Sequence, residues 1–157
     1  MPSVSERAFS ILRESHLLRG LERHQLEGIS EKGAVTMLAP GERIAEDGQP
    51  IVDLFVVLTG EVEVFLPETV SRFSRVHLAT VGPGKCIGEY SFVDGKAASA
   101  TVAATRVTDV FCISQKDFRT LLEEDPALAR IVTANLLGIL IARLRDQNIR
   151  LDLFRPN

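Results

Sequence analysis

The sequence predicts a mainly β fold, an antiparallel β-roll carrying N-terminal helices and a long C-terminal helix, on three observations. Short β-prone runs between Ala34 and Ile113 alternate with turn residues, helical spacing fills the first 33 positions, and an apolar, breaker-poor stretch follows Ser114. A single domain over 1–157 is therefore expected, with a leader at 1–33, a roll at 34–113 and helices at 114–155.

In chain order, Ser3-Val4-Ser5-Glu6 has capping-box spacing, and Phe9, Leu12 and Leu17 follow at roughly helical intervals. A helix is expected to start there. A second short helix is expected across Glu22 to Ile29, stopping near Lys32-Gly33 with glycine in its usual terminal place. From Ala34 the grammar changes. Val35 and Met37, then Leu54 to Leu58, then Val62, Val64 and Phe65 form short runs between Pro40-Gly41, Asp47-Gly48 and Thr59-Gly60. Glu61-Val62-Glu63-Val64 alternates, so one face of that strand should meet water and the other the core. Pro67 to Ser74 reads as a loop and Arg75 to Val81 as a strand. Thr108 to Ile113 closes the roll, and Ser114 opens a helix carrying Phe118, Leu121 and Leu122. Asp125-Pro126, an N-cap followed by proline at the first helical position, opens the last helix, and only Gly138 could interrupt it before Pro156.

The stretch from Gly84 to Val102 organises the rest. Its turn glycines, its Gly88-Glu89 pair and its β-branched exit have the layout of an anion cradle. Unpaired N–H groups of a short helical turn would face a phosphate over Glu89, Tyr90 and Ser91 without a metal, with Glu89 accepting from a sugar hydroxyl. The alternative for Glu89 is a cap on its own turn, and Ser99 serves a strand core as readily as a ligand.

This segment resembles the phosphate-binding cassette of the cyclic nucleotide-binding domains of the catabolite activator type. Ile87-Gly88-Glu89 and Ala98-Ser99-Ala100-Thr101-Val102 carry the resemblance, together with Pro40-Gly41-Glu42-Arg43-Ile44, Glu46-Asp47-Gly48, Asp53 to Val57 and Gly60-Glu61-Val62. The resemblance covers about Leu17 to Arg145. It implies a jelly roll, and a cassette in which Gly88, Glu89, Tyr90, Ser91, Ser99 and Ala100 hold a cyclic nucleotide such as cyclic AMP or cyclic GMP, with no other cofactor. One position departs. Where the family places the arginine that pairs with the phosphate, this chain has Ala98. Bidentate, charge-assisted contacts are lost there, at about 1.5–3 kcal/mol for each hydrogen bond to charge. Lys96 could substitute a point charge, although a solvated loop lysine is the plainer reading.

The last helix holds Leu137, Ile141, Leu144, Asn148 and Leu151 at alternating spacings of four and three. That stripe is the seam of a two-stranded coiled coil, Asn148 fixing register, or else a face packed on the roll. The resemblance favours a homodimer through this helix. In the family's transcription factors a helix-turn-helix follows, whereas this sequence ends at Asn157, so direct DNA binding is not expected.

Composition narrows the remaining classes. The 157 residues are 45% hydrophobic and 25% charged with a formal charge of -3, which offers nucleic acid no overall attraction. Ile131 to Ala142 is too short an apolar run to span a bilayer, and Glu6 and Arg7 fall where a signal peptide would be apolar. With Cys86 and Cys112 alone, a disulfide scaffold is excluded, and a cytoplasmic protein is expected. His16, His24 and His77 lack metal-ligand spacing, and no nucleophile elbow or phosphate-binding P-loop is present, so an enzyme is not expected. Two functions stand: a ligand-sensing regulatory module signalling through the C-terminal helix, and a degenerate member that serves as a dimerisation or docking domain.

Overall fold

A computed structural model describes residues 4–153, with side chains through Leu151. Its elements are α1 (Glu6–Glu14), α2 (Arg23–Lys32), β1 (Ala34–Leu38), β2 (Arg43–Ala45), β3 (Asp53–Thr59), β4 (Val62–Leu66), β5 (Val76–Val81), β6 (Cys86–Ile87), α3 (Glu89–Asp94), β7 (Thr101–Ala104), β8 (Thr108–Ser114), α4 (Gln115–Glu124) and α5 (Pro126–Leu153). The strands form two four-stranded antiparallel sheets, β1-β8-β3-β6 and β2-β7-β4-β5, which is the expected jelly roll.

The continuous apolar run of β3 follows from this layering. Because successive strand side chains point to opposite faces, Phe55 and Val57 enter the core between the sheets while Leu54, Val56 and Leu58 meet the helices. β8 divides in the same way, with Val110 inside the roll and Phe111 and Ile113 outside it. The helix-side core gathers Phe9 and Leu12 of α1, Leu26 and Ile29 of α2, Phe92 of α3 and Phe118 of α4. Leu128, Val132, Leu136 and Ile139 of α5 complete it. Each of these side chains contributes about 1.5–3 kcal/mol by leaving water.

The first two helices start, and the second stops, where the sequence implies, but what fixes their ends, and the alternation of β4, differ from expectation. The first cap is Ser5, whose hydroxyl accepts from Ala8 N at 3.1 Å; Ser3 lies outside the described residues, as do the last positions of the expected 114–155 helical segment. Gly33 ends α2 in extended backbone, so left-handed freedom is not what selects it. A side chain there would strike the Phe111 ring and lie 2.7 Å from Cys112 O. The alternation of β4 breaks because its pairing with β5 shifts between Val64 and Phe65, which buries both Val62 and Phe65.

α5 is longer than the apolar run suggests. It continues through Thr133, Asn135 and Gly138 for 28 residues, and by length and composition alone Pro126–Leu151 would suffice to cross a membrane. Asn135 does not interrupt it because its amide donates to Leu17 O and Arg19 O, both at 2.9 Å, tying the helix to the α1–α2 connection. Asp125 caps the start, accepting from Ala127 N and Leu128 N at 3.1 Å.

Candidate functional site

The site begins where β6 leaves β3. Phe55 pairs with Ile87 and Val56 with Cys86, so Ile87 points into the roll and Cys86 towards the helices. Gly88 then turns the chain at φ +95°, and a Cβ there would sit 2.7 Å from Asp53 O. Only glycine fits both the conformation and the space. α3 follows for a turn and a half, closed at Gly95 by a bond from Gly95 N to Ser91 O. Phe92 anchors it beneath, its ring 5.4 Å from that of Phe118.

Glu89, the proposed sugar acceptor, is 2% exposed and already has a partner. Arg143 of α5 forms an ion pair with it, donates from Nη2 to Cys86 O at 3.2 Å and lies 5.2 Å from the centre of the Tyr90 ring. The Cys86 thiol faces the second carboxylate oxygen at 3.8 Å. Burial pushes this thiol up to about 11, with Arg143 opposing, which leaves it a small hydrophobe rather than a nucleophile. Burial also holds the Arg143 guanidinium below its ordinary value. The α3 turn is gripped at its other end too, where Arg119 of α4 donates to Phe92 O at 2.9 Å and lies over the Phe92 ring.

The structure brings Gly88, Glu89, Tyr90 and Ser91 together on this turn, with Ser91 buried and Tyr90 half-exposed. Ala98, Ser99 and Ala100 return on the way to β7. Ala98 N donates to Gln49 O at 2.9 Å and its carbonyl accepts from Gly48 N at 2.8 Å, so this strand entry is fixed against the β2–β3 turn. Ser99 is exposed and Ala100 buried. Lys96 is an exposed loop residue whose backbone N–H donates to Asp94 Oδ1, in an Asx turn. Two cavities, of about 380 Å³ beside α1 and β1 and about 280 Å³ on the outer face of the second sheet, are lined by none of these residues. Among the described residues no group of three or more His, Cys, Asp or Glu side chains could hold a metal. The histidines His16, His24 and His77 are all exposed.

The seam residues Leu137, Ile141, Leu144, Asn148 and Leu151 are all exposed, so they do not pack on the roll. The stripe that does so is Leu128, Val132, Leu136 and Ile139. Arg143 continues that inward stripe by one further step of four, and the sequence reading missed it. The signal in the sequence was an arginine four residues beyond Ile139 on one of the helix's two apolar stripes, because a charge on a stripe that packs inward needs a partner.

Comparison with known proteins agrees with this fold. The model of the family described as "Cyclic nucleotide-binding domain" matches residues 35–125. A cyclic AMP receptor protein of Thermus thermophilus is 28% identical over 142 residues, 90% of this chain and 63% of the relative. Glutaminase 1 of Bradyrhizobium diazoefficiens is 30% identical over 142 residues, again 90% of this chain but only 22% of that protein. The solved cyclic nucleotide-binding domain of Methylobacillus flagellatus superimposes with a TM-score of 0.82 at 26% identity, covering 97% of this chain and 84% of the other. This chain thus spans less than two thirds of the two curated relatives, and the glutaminase match concerns a minor part of an enzyme. The chain belongs to the cyclic nucleotide-binding domain family.

Proposed function

We propose that the chain is a regulatory, non-catalytic sensing module that takes a cyclic nucleotide at Gly88 to Ser91 and Ser99-Ala100 and signals through α5. The observation that carries this reading is the Glu89–Arg143 ion pair, because it joins the cassette to the long helix directly. A ribose hydroxyl donating to Glu89 competes for the carboxylate that holds Arg143, so occupancy and helix position are linked. A ligand shifts such an equilibrium only by its difference in affinity for the two helix positions. The module acts as a cytoplasmic homodimer through the exposed α5 seam.

A second reading has its own support. Ala98 supplies no cation and Arg143 occupies Glu89, as fits a degenerate member that works as a dimerisation or docking domain. Calorimetric titration with cyclic AMP and cyclic GMP, after unfolding and refolding to strip bound nucleotide, separates the two. Saturable binding that weakens at least tenfold in Glu89→Ala supports the sensor. Absence of heat with either nucleotide supports the docking domain.

A further inference from the structure

The cassette itself offers an anion beside Ser99 no guanidinium, its cations being the exposed lysines Lys85 and Lys96. Position 98 is alanine, Arg143 donates to both Glu89 and Cys86 O, and Arg119 is drawn to Phe92, donating to its carbonyl and lying over its ring. One guanidinium on a different element is linked to this segment through Asp47. β4 pairs with β7 so that Val64 faces Val102 and Phe65 faces Thr101, and continuing that antiparallel register carries Pro67 towards Ser99. Arg72, in the β4–β5 connection, donates Nη1 to Pro67 O at 2.9 Å.

The same guanidinium nitrogen stands 4.0 Å from Asp47 Oδ2. Asp47 is itself tied to the cassette exit, its N–H donating to Thr101 Oγ1 at 3.1 Å, and the next residue, Gly48, donates to Ala98 O. The β2–β3 turn thus bonds to both Ala98 and Thr101, and Arg72 is a guanidinium that reaches this turn from the β4–β5 connection. Its backbone is held in place by a turn in which Arg72 N donates to Thr69 Oγ1 at 3.1 Å and Thr69 N donates to Arg72 O at 2.9 Å. Its donors are not exhausted. A guanidinium has five N–H groups, of which the Pro67 contact uses one, and the Asp47 contact is at the outer limit of an ion pair.

We propose that Arg72 supplies, from the β4–β5 connection, the phosphate-binding guanidinium that the cassette lacks at Ala98. The proposal rests on the cassette being a cyclic nucleotide site, and it names a phosphodiester monoanion as the group Arg72 meets. On binding, the phosphate takes Arg72 from its loose contact with Asp47, and the β4–β5 connection closes over the ligand. A planar, two-pronged donor suits a phosphate better than an ammonium would, so lysine only partly replaces it.

The test is titration of the full chain with cyclic AMP and cyclic GMP, comparing wild type with Arg72→Ala, Arg72→Lys, Arg72→Ala/Ala98→Arg and the control Arg106→Ala. Arg106 is exposed and pairs with Glu61 away from the cassette. Arg72→Ala is expected to weaken binding by about ten- to a hundredfold, as loss of a charged hydrogen-bond pair does. Arg72→Lys should fall between, Arg106→Ala should bind as wild type, and arginine returned at position 98 should restore affinity. Wild-type affinity in Arg72→Ala, with unchanged thermal unfolding, overturns the assignment to Arg72 while leaving the sensor reading intact. No binding by the wild-type chain overturns that reading, and this assignment with it.

Discussion

Glu89 is the most demanding residue in the fold. A carboxylate at 2% exposure costs several kcal/mol unless an opposite charge and hydrogen bonds meet it, and Arg143 is that charge. Removing the cation alone strands the acid. Arg143→Met is therefore expected to destabilise the chain by about 3 kcal/mol, towards the low end for a broken buried pair because Arg143 keeps partial access to water. Adding Glu89→Gln should recover much of that loss, since a neutral amide no longer needs the cation. Denaturant unfolding of the two single variants and the double variant measures the coupling, and strict additivity would show that the pair is not an energetic unit. Glu89 was readable before the structure as an acid in need of a partner, whereas Arg143 was not singled out. Glu89 stood in a glycine-flanked turn where burial would demand a partner, and Arg143 stood one helical step beyond Ile139. Nothing in one sequence says that positions so far apart meet, because that depends on how α5 crosses the roll.

At the scale of elements, α5 carries two stripes with different tasks. Leu128, Val132, Leu136, Ile139 and Arg143 face the domain, while Leu137, Ile141, Leu144, Asn148 and Leu151 face outward. The spacing of four and three was legible for the outer stripe, yet spacing alone could not decide which stripe packs inward, since both are apolar and adjacent. Glycine and proline punctuated the strands and glycine also marked the stop of α2 at Gly33, but what requires glycine there is the close approach of Phe111, which no local pattern encodes. An outer stripe of this kind is expected to pair with a second copy by knobs-into-holes packing. Placing a carboxylate in the seam with Ile141→Glu or Leu144→Glu should give a monomer with near wild-type stability, because neither side chain is in the core. Sedimentation across a concentration series reads this out, and a wild-type chain that stays monomeric at high micromolar concentration removes the dimer.

For the whole molecule, the roll, the cassette and α5 behave as one thermodynamic unit only if what binds at Gly88 to Ser99 is felt by global unfolding. The packing favours that outcome. α3 is gripped at both ends, by Arg143 of α5 and Arg119 of α4, and its underside meets Phe118, so the cassette cannot open without disturbing the helix-side core. A ligand that binds the folded state alone stabilises it by RT ln(1 + [L]/Kd), about 2.7 kcal/mol at a hundredfold excess over Kd. For a chain of this size that corresponds to a rise in Tm of roughly 5–10 °C. Cyclic AMP or cyclic GMP is therefore expected to raise the Tm of the refolded wild-type chain in proportion to the logarithm of its concentration. Arg143→Met uncouples the two responses: because it leaves Glu89 free to accept a hydroxyl, it should start from a lower Tm yet keep the ligand-dependent rise. Differential scanning calorimetry with and without nucleotide distinguishes these behaviours. A wild-type Tm indifferent to both nucleotides at millimolar concentration would mean the fold has kept the cassette as architecture, and the exposed face of α5 would then be where its function is exercised.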